Sequence, residues 1–407
     1  MKVLWFTNHP SLYKTDSHSY NGYGWISSLE NLMSGQPEVE LAISFMETES
    51  AKIKKGNVSY YPITLKRSIP LKLRHAFDRE AYDAAWIAEY MKVIEDFKPD
   101  IIHVFGTEKS FGLICGQTTI PTVIHIQGIL NPYLNSMFAP GTTALDYFRY
   151  SGIFEGAKRM WELRTFTYNA RREARILQNC RFFMGRTNWD REVVRLYSPG
   201  SKYFYCSEIL RSPFYVAQEW AKKANEKVML ITTISHTDYK GYDFLLKTAK
   251  LLKELKVIEF EWKVYGIHRF EFWEKKLGIR PEDVNVKMMG VGSAEKLIEE
   301  LQESDIFIHP SYIDNSPNSI CEAQLLGMPV ISTHVGGISS LIEHGHTGML
   351  IPANDTHMLS YTIQYLSRSS ELSRRLGQNA RQVAMNRHDT GAIVEQNLAV
   401  YRALSLQ

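Results

Sequence analysis

The stretch from residue 305 to residue 352 constrains this chain most. Asp305-Ile306-Phe307-Ile308 is an apolar run of strand length, and from His309 the sequence continues HPSYIDNSPNSICEAQLLGMPVISTHVGGISSLIEHGHTGMLIP. Asp314 to Pro317 predicts a polar turn, because Asn, Ser and Pro favour turn or cap geometry over strand. Asn318 is placed to cap a helix over 319–326, and Gly327 stops it. Residues 329–333 read as a second strand, followed by Gly336-Gly337 and a second short helix through Glu343. This alternation is the rhythm of a doubly wound parallel sheet.

Two chemical features ride on that scaffold. The turn puts the backbone N–H groups of Ser319 and Ile320 at a helix N-terminus, where partial positive charge favours a phosphate. Asp314 and Glu322 are carboxylates on either side of that terminus. A ligand with hydroxyls at both ends and an anion between them, such as a nucleotide sugar, suits this arrangement. The plainer reading is a capped helix with a surface carboxylate.

The block as a whole resembles a known signature. HPS-x2-D-N-S-P-N-S-x2-E-A-x3-G-x-P-V-I-x-T-x2-G-G, followed by G-x-x-G-x-L-I, is similar to that of retaining glycosyltransferases of the GT-B fold. More narrowly it resembles the group-one transferases, glycosyltransferase family four, whose two acidic residues are separated by seven others. Asp314 and Glu322 keep that spacing, although the family usually has Glu at the first place. The resemblance implies an α/β fold of two Rossmann-like, doubly wound domains facing across a cleft. It also implies roles. Glu322 would hold the ribose, Asp314 and Ser316 the sugar hydroxyls, and Lys240 with the turn formed by Asn318, Ser319 and Ile320 the diphosphate.

The bulk properties allow this. The 407 residues suffice for two domains, and 44% hydrophobic with 22% charged residues describes an ordinary globular protein. No apolar run approaches the roughly 18 residues of a spanning helix, and MKVLWFTNHP reads as a first strand rather than a signal peptide. The four cysteines form no C-x-x-C pair, so reduced thiols in a cytoplasmic protein are expected. Residues 1–225 carry 28 Lys+Arg against 22 Asp+Glu, leaving the remainder net acidic. The basic half is expected to face the acceptor, and its excess is too small for a nucleic-acid surface.

In the first half, strands are expected at 3–6, 40–45, 58–62, 101–105 and 121–126, with a helix at 82–97. Gly22 and Gly24 lie in a loop after the first strand, where family members carry a glycine-rich loop near phosphate and acceptor. Gln127 takes the place of a family histidine near the donor sugar, with His125 two residues earlier as the other candidate. Residues 151–181 interleave Lys158, Arg159, Arg164, Arg171, Arg172 and Arg175 with Phe154, Met160, Trp161, Phe166 and Tyr168. Such a segment suits an anionic membrane surface, while a solvated helix packed on its own domain is the plainer alternative.

A linker is expected at 211–227 and a new strand at 228–234. Lys240-Gly241 before an amphipathic helix resembles the family's diphosphate lysine. The arginine common five residues before that lysine is Ser235 here, and Arg211 is a candidate substitute. Strands 260–266 and 284–289 end at Gly266 and Gly290, where family members cradle the nucleobase with backbone atoms. A last helix over 390–404 would cross back onto the first domain. The expected organisation is therefore a first domain at 1–212 completed by 388–407, and a nucleotide-sugar domain at 213–387. The implied partners are a UDP- or GDP-sugar and a glycan or lipid-linked acceptor, with peripheral contact at the inner face of the membrane. No metal and no cofactor are expected, since Asp-x-Asp is absent from the sequence. Catalytic roles fall to Asp314, Gln127 and Lys240. An inactive nucleotide-sugar-binding partner, or an epimerase or phosphorylase of the same fold, are the alternatives.

Overall fold

A computed structural model describes residues 1–13, 24–47, 51–65 and 78–406. Its first sheet is built from β1 (Lys2–Thr7), β2 (Glu40–Met46), β3 (Ile53–Lys55), β4 (Val58–Ile63), β5 (Ile101–Phe105), β6 (Thr122–His125), β7 (Phe182–Gly185) and β8 (Lys202–Tyr205). The spatial order is β3-β4-β2-β1-β5-β6-β7-β8, parallel except for the β3–β4 pair. The second sheet comprises β9 (Val228–Thr233), β10 (Phe260–Tyr265), β11 (Val286–Gly290), β12 (Ile306–His309), β13 (Val330–Thr333) and β14 (Met349–Ile351), ordered β11-β10-β9-β12-β13-β14 and parallel throughout. The central strands are apolar on both faces because helices cover both sides. Leu4, Trp5, Ile101 and Ile102 are fully buried in the first sheet, and Leu230, Ile231, Phe307 and Val330 in the second.

In each sheet the strand order reverses at the middle, between β1 and β5 and between β9 and β12, and ligands of such sheets bind outside the carboxyl ends of the strands at that point. In the first sheet these ends carry Asn8, Thr107 and Gln127; in the second they carry Ile234 and Pro310. The turn after β12 meets the first sheet's side of the molecule, where Asn315 bonds the Gln127 carbonyl and Asp190.

The final helix, Thr390–Ser405, returns to the first domain. Ile393, Leu398, Tyr401 and Leu404 join the core of Val3, Trp5 and Ile101. Burial leaves the Tyr401 hydroxyl in need of partners, and it finds two: it accepts from Trp5 Nε1 (2.9 Å) and lies 2.7 Å from His103 Nδ1.

Three expectations need correction. Helix Asn318–Leu326 starts one residue earlier than predicted, with Pro317 at the cap position and no side-chain capping bond; the proline's fixed backbone angle sets the entry in place of an Asn cap. The second short helix through Glu343 is only the single turn Ile338–Ser340. The four thiols are not all free. Cys115 and Cys180 are disulfide-bonded, with Cα atoms 5.3 Å apart, while Cys206 and Cys321 are free and buried. Helix Ile153–Asn179 ends beside the turn that follows β5, a meeting that spacing along the chain does not announce.

Candidate active site

The motif turn converts its sequence into a tight electrostatic cluster. Asp314 follows β12, and its backbone carbonyl accepts from the Gly337 amide (2.9 Å), so the Gly-Gly turn after β13 packs directly on it. The Asp314 carboxylate accepts from Lys240 Nζ (2.6 Å) and from His309 Nε2 (3.0 Å) at one oxygen, and from the Tyr133 hydroxyl (3.3 Å) at the other. Burial alone would raise the Asp314 pKa. The Lys240 charge and the His309 bond outweigh it and hold the carboxyl well below its ordinary range. Burial likewise opposes the charge on Lys240, and attraction to Asp314 more than compensates. Burial pushes His309 down, so it is neutral and donates its Nε2 proton to a carboxylate that can only accept.

A second pair lies one helical turn away. Glu322 is buried and accepts a two-pronged bond from Arg211, Nε to one oxygen (2.6 Å) and NH2 to the other (2.7 Å). Burial raises the Glu322 pKa, opposed by Arg211. Arg211 comes from the segment joining the sheets, and Gly24 opens helix Gly24–Met33 directly beside it: a Cβ at Gly24 would lie 3.2 Å from Arg211 Cγ. Gly24 is thus the first residue of a helix and lies beside Arg211, whereas Gly22 lies outside the described residues.

The first domain closes on the turn through Asn315. Its amide nitrogen donates to the Gln127 carbonyl (3.1 Å) and Asp190 (3.0 Å), and its amide oxygen accepts from Thr187 Oγ1 (2.7 Å). Gln127 is therefore at the cleft, and its side-chain oxygen accepts from Arg186 (3.1 Å). Arg186 is ion-paired with buried Glu208, which also accepts from Ser316 Oγ (3.3 Å). His125 is instead a core residue. It is wholly buried, edge-on to Trp25 and stacked with His103, and burial with the nearby His103 and Arg186 holds it neutral.

Of the two turn amides expected to face a phosphate, that of Ile320 donates to the Pro317 carbonyl (3.0 Å) in the first helical turn. Asn318 is the first helical residue rather than the cap. Gly266 and Gly290 do meet: the Gly266 amide donates to the Gly290 carbonyl (2.8 Å). Gly266 has φ +97°, and a Cβ there would fall on the Ile234 carbonyl oxygen, so only glycine permits the approach of these strand ends.

Sequence reasoning missed a second bridge. Helices Ala144–Ser151 and Ile153–Asn179 form a hairpin between β6 and β7 that reaches the second domain. Tyr147 stacks on Phe272 with centroids 3.8 Å apart, and Tyr147 and Arg159 both bond buried Asp238, two residues before Lys240 (2.5 and 2.6 Å). Arg172 pairs with buried Asp83 (3.1 Å) and Arg175 with Glu80 (3.0 Å). Arg159 and Arg172 are thus tied into the fold, since a charged residue on an inner helix face must find a counter-charge, whereas the Arg175–Glu80 pair is exposed.

Among the described residues no cluster of His, Cys, Asp or Glu could hold a metal ion, and no helix is long and apolar enough to cross a membrane. Comparison with known proteins supplies the rest. The family model described as "Glycosyl transferases group 1" matches residues 217–383. The second domain is a group 1 glycosyl transferase domain. The amylovoran biosynthesis glycosyltransferase AmsK of Erwinia amylovora is 28% identical over 151 residues, covering 35% of this chain and 37% of the relative. The chain thus spans about a third of the length of the curated relatives it matches. Among solved structures, the sucrose-phosphate synthase of Thermosynechococcus elongatus superposes with a TM-score of 0.72 at 14% identity, covering 99% of this chain and 98% of that one. HepE from Anabaena in complex with UDP-glucose gives 0.65 at 15% identity, covering 99% and 100%. These likenesses extend the group 1 domain to a complete GT-B fold of two facing Rossmann-like domains.

Proposed function

We propose that this protein is a retaining glycosyltransferase that moves a sugar from a nucleotide-diphosphate donor, a UDP- or GDP-sugar, to a glycan or lipid-linked acceptor in polysaccharide synthesis. The observation that carries the reading is the pairing of both motif carboxylates with cations, Asp314 with Lys240 and Glu322 with Arg211, around one helix N-terminus. The names of AmsK and of the HepE complex support the class of product and of donor.

In this reading both ion pairs exchange partners when donor binds. A diphosphate offers Lys240 a new anionic partner beside the Ser319 amide, and Asp314 is then free to accept from sugar hydroxyls. Lys240 and Arg211 offset the two negative charges that the diphosphate brings and stabilise the charge that builds on the leaving phosphate. Glu322 accepts from the ribose diol, with Arg211 turning from it toward phosphate in place of the arginine absent at Ser235. Gln127 faces the sugar from the first domain, its side chain oriented by Arg186. Attack occurs on the face the phosphate leaves, so the phosphate oxygen takes the acceptor proton and no separate base is required. The Asn315 bonds across the cleft exclude water from the reacting atoms, which limits hydrolysis.

Incubating the purified protein with a panel of nucleotide sugars and reading the product anomer by NMR tests this. An α-linked product from an α-linked donor is expected. A β-linked product refutes retention, and donor binding without turnover across the panel would favour the inactive nucleotide-sugar-binding partner.

A further inference from the structure

Behind the proposed sugar contacts lies a buried ion pair. Arg186 follows β7 in the first domain, and Glu208 lies in the segment that joins the two sheets. Their side chains are 5% and 0% exposed and meet Nη1 to Oε2. Burial opposes the charge on Arg186, and attraction to Glu208 outweighs it. Such a pair adds little to stability, because apolar side chains of similar volume fill the same space without the cost of desolvating two charges. Its remaining atoms point to a different task. Arg186 Nη2 donates to Gln127 Oε1 (3.1 Å), and Gln127 Nε2 gives one hydrogen to the His125 carbonyl (3.4 Å) and has a second to offer. Glu208 Oε1 accepts from Ser316 Oγ (3.3 Å), which uses the one proton of that hydroxyl and leaves its lone pairs to accept. Ser316 adjoins Asn315, whose amide nitrogen donates to the Gln127 carbonyl (3.1 Å), so the two oriented groups flank one contact between the domains. The Glu208 backbone is fixed as well, its carbonyl accepting from His388 Nδ1 (2.8 Å) where the chain crosses back to the first domain.

We infer that Glu208 is a positioning residue for the sugar: through Arg186 it presents Gln127 as a hydrogen-bond donor, and directly it presents Ser316 as an acceptor. The inference rests on the glycosyltransferase reading above. A sugar hydroxyl accepts one hydrogen bond and donates another, so groups fixed in these two senses match it. The segment that carries Glu208 also carries Arg211, three residues on, which holds Glu322. One short link thus reaches the motif at both Ser316 and Glu322, and only the Glu208 arm bears on the sugar.

Three forms of the full chain test it: wild type, Glu208→Gln, and the double variant Arg186→Met with Glu208→Met. For each, the melting temperature, the affinity for UDP and GDP by calorimetry, and kcat with the nucleotide-sugar panel are measured. Glu208→Gln puts an amide donor where two acceptors are needed and leaves Arg186 buried without its counter-charge, so melting temperature and kcat should both fall. The double variant removes the charges together with their desolvation cost and should melt near wild type. Its kcat should nevertheless stay about a hundredfold down, because the sugar contacts have lost their orientation. Its affinity for the nucleoside diphosphate should match wild type, since the phosphate contacts are untouched. Recovery of kcat along with melting temperature in the double variant overturns the inference and makes the pair purely structural. Loss of nucleoside diphosphate affinity in proportion to kcat overturns it too. A wild type that neither binds nor turns over any nucleotide sugar refutes the glycosyltransferase reading, and the inference falls with it; the inference fails alone when wild type is active and the double variant equals it.

Discussion

The Arg211–Glu322 pair gives a quantitative test of how the cleft is held before ligand enters. Arg211→Met keeps most of the side-chain volume and removes the charge and both hydrogen bonds. Breaking a buried pair costs about 3–5 kcal/mol, because the remaining charge stays buried without compensation. Glu322 is almost fully enclosed, but the Arg211 side chain is 25% exposed, so water already shares part of the pair. The lower end, about 3 kcal/mol, is expected at neutral pH. For a domain of this size that lowers the melting temperature by about 6–12 °C. The pH dependence separates this account from a packing defect. Burial sets the folded pKa of Glu322 above its ordinary value, and losing Arg211 raises it further. A raised folded pKa means that the native state binds more protons than the unfolded one. Its stabilising contribution is present below the unfolded carboxylate pKa and lost as pH rises through the folded value. The deficit of Arg211→Met should therefore shrink steadily as melts are taken from pH 8 toward pH 5. Adding Glu322→Gln should recover most of the loss at pH 7.5. A deficit independent of pH, unrelieved in the double variant, would refute the electrostatic reasoning.

Asp314→Asn should lower turnover without weakening nucleoside diphosphate binding, since it removes a partner of the sugar and releases Lys240 to the phosphate; calorimetry that shows affinity lost in step with turnover would contradict that division. Intact-mass analysis during turnover checks the same residue from another side, because one sugar covalently added at Asp314 would replace front-face attack with double displacement. Chelators should leave activity unchanged, Lys240 and the helix terminus supplying the positive charge. Full loss in chelator, restored by Mg²⁺ or Mn²⁺, would count against it.

Much of the second domain was legible in the sequence because its signals are local. The apolar run before His309, the Pro317 turn and Gly327 each act within a few residues, and the strands and helix they delimit appear within one or two positions of expectation. The site was legible only in part. Asp314, Glu322 and Lys240 announce themselves by spacing, but their partners do not. Tyr133 reaches Asp314 across 181 positions and Arg211 reaches Glu322 across 111, from segments with no periodicity to read. The long helix shows the limit differently. Arg159 and Arg172 turn inward to Asp238 and Asp83, while Arg164 and Arg171 turn outward. Hydrophobic periodicity is blind to that division, because all four residues score as polar.

The returning helix has a consequence for how the protein is made. Domains generally fold as units as they leave the ribosome, the N-terminal one first. Here the first sheet lacks part of its inner layer until residues 390–405 have been synthesised, which happens only after the whole of the second sheet has emerged. The absent layer includes Ile393, Leu398, Tyr401 and Leu404, whose burial is worth on the order of 10 kcal/mol at most. Until it arrives, Trp5 and His103 have no hydroxyl to meet, and the apolar face of β1 and β5 stands open to water or to a chaperone. The second domain, whose sheet is continuous in sequence, can complete itself first, so the order of folding should run against the order of translation.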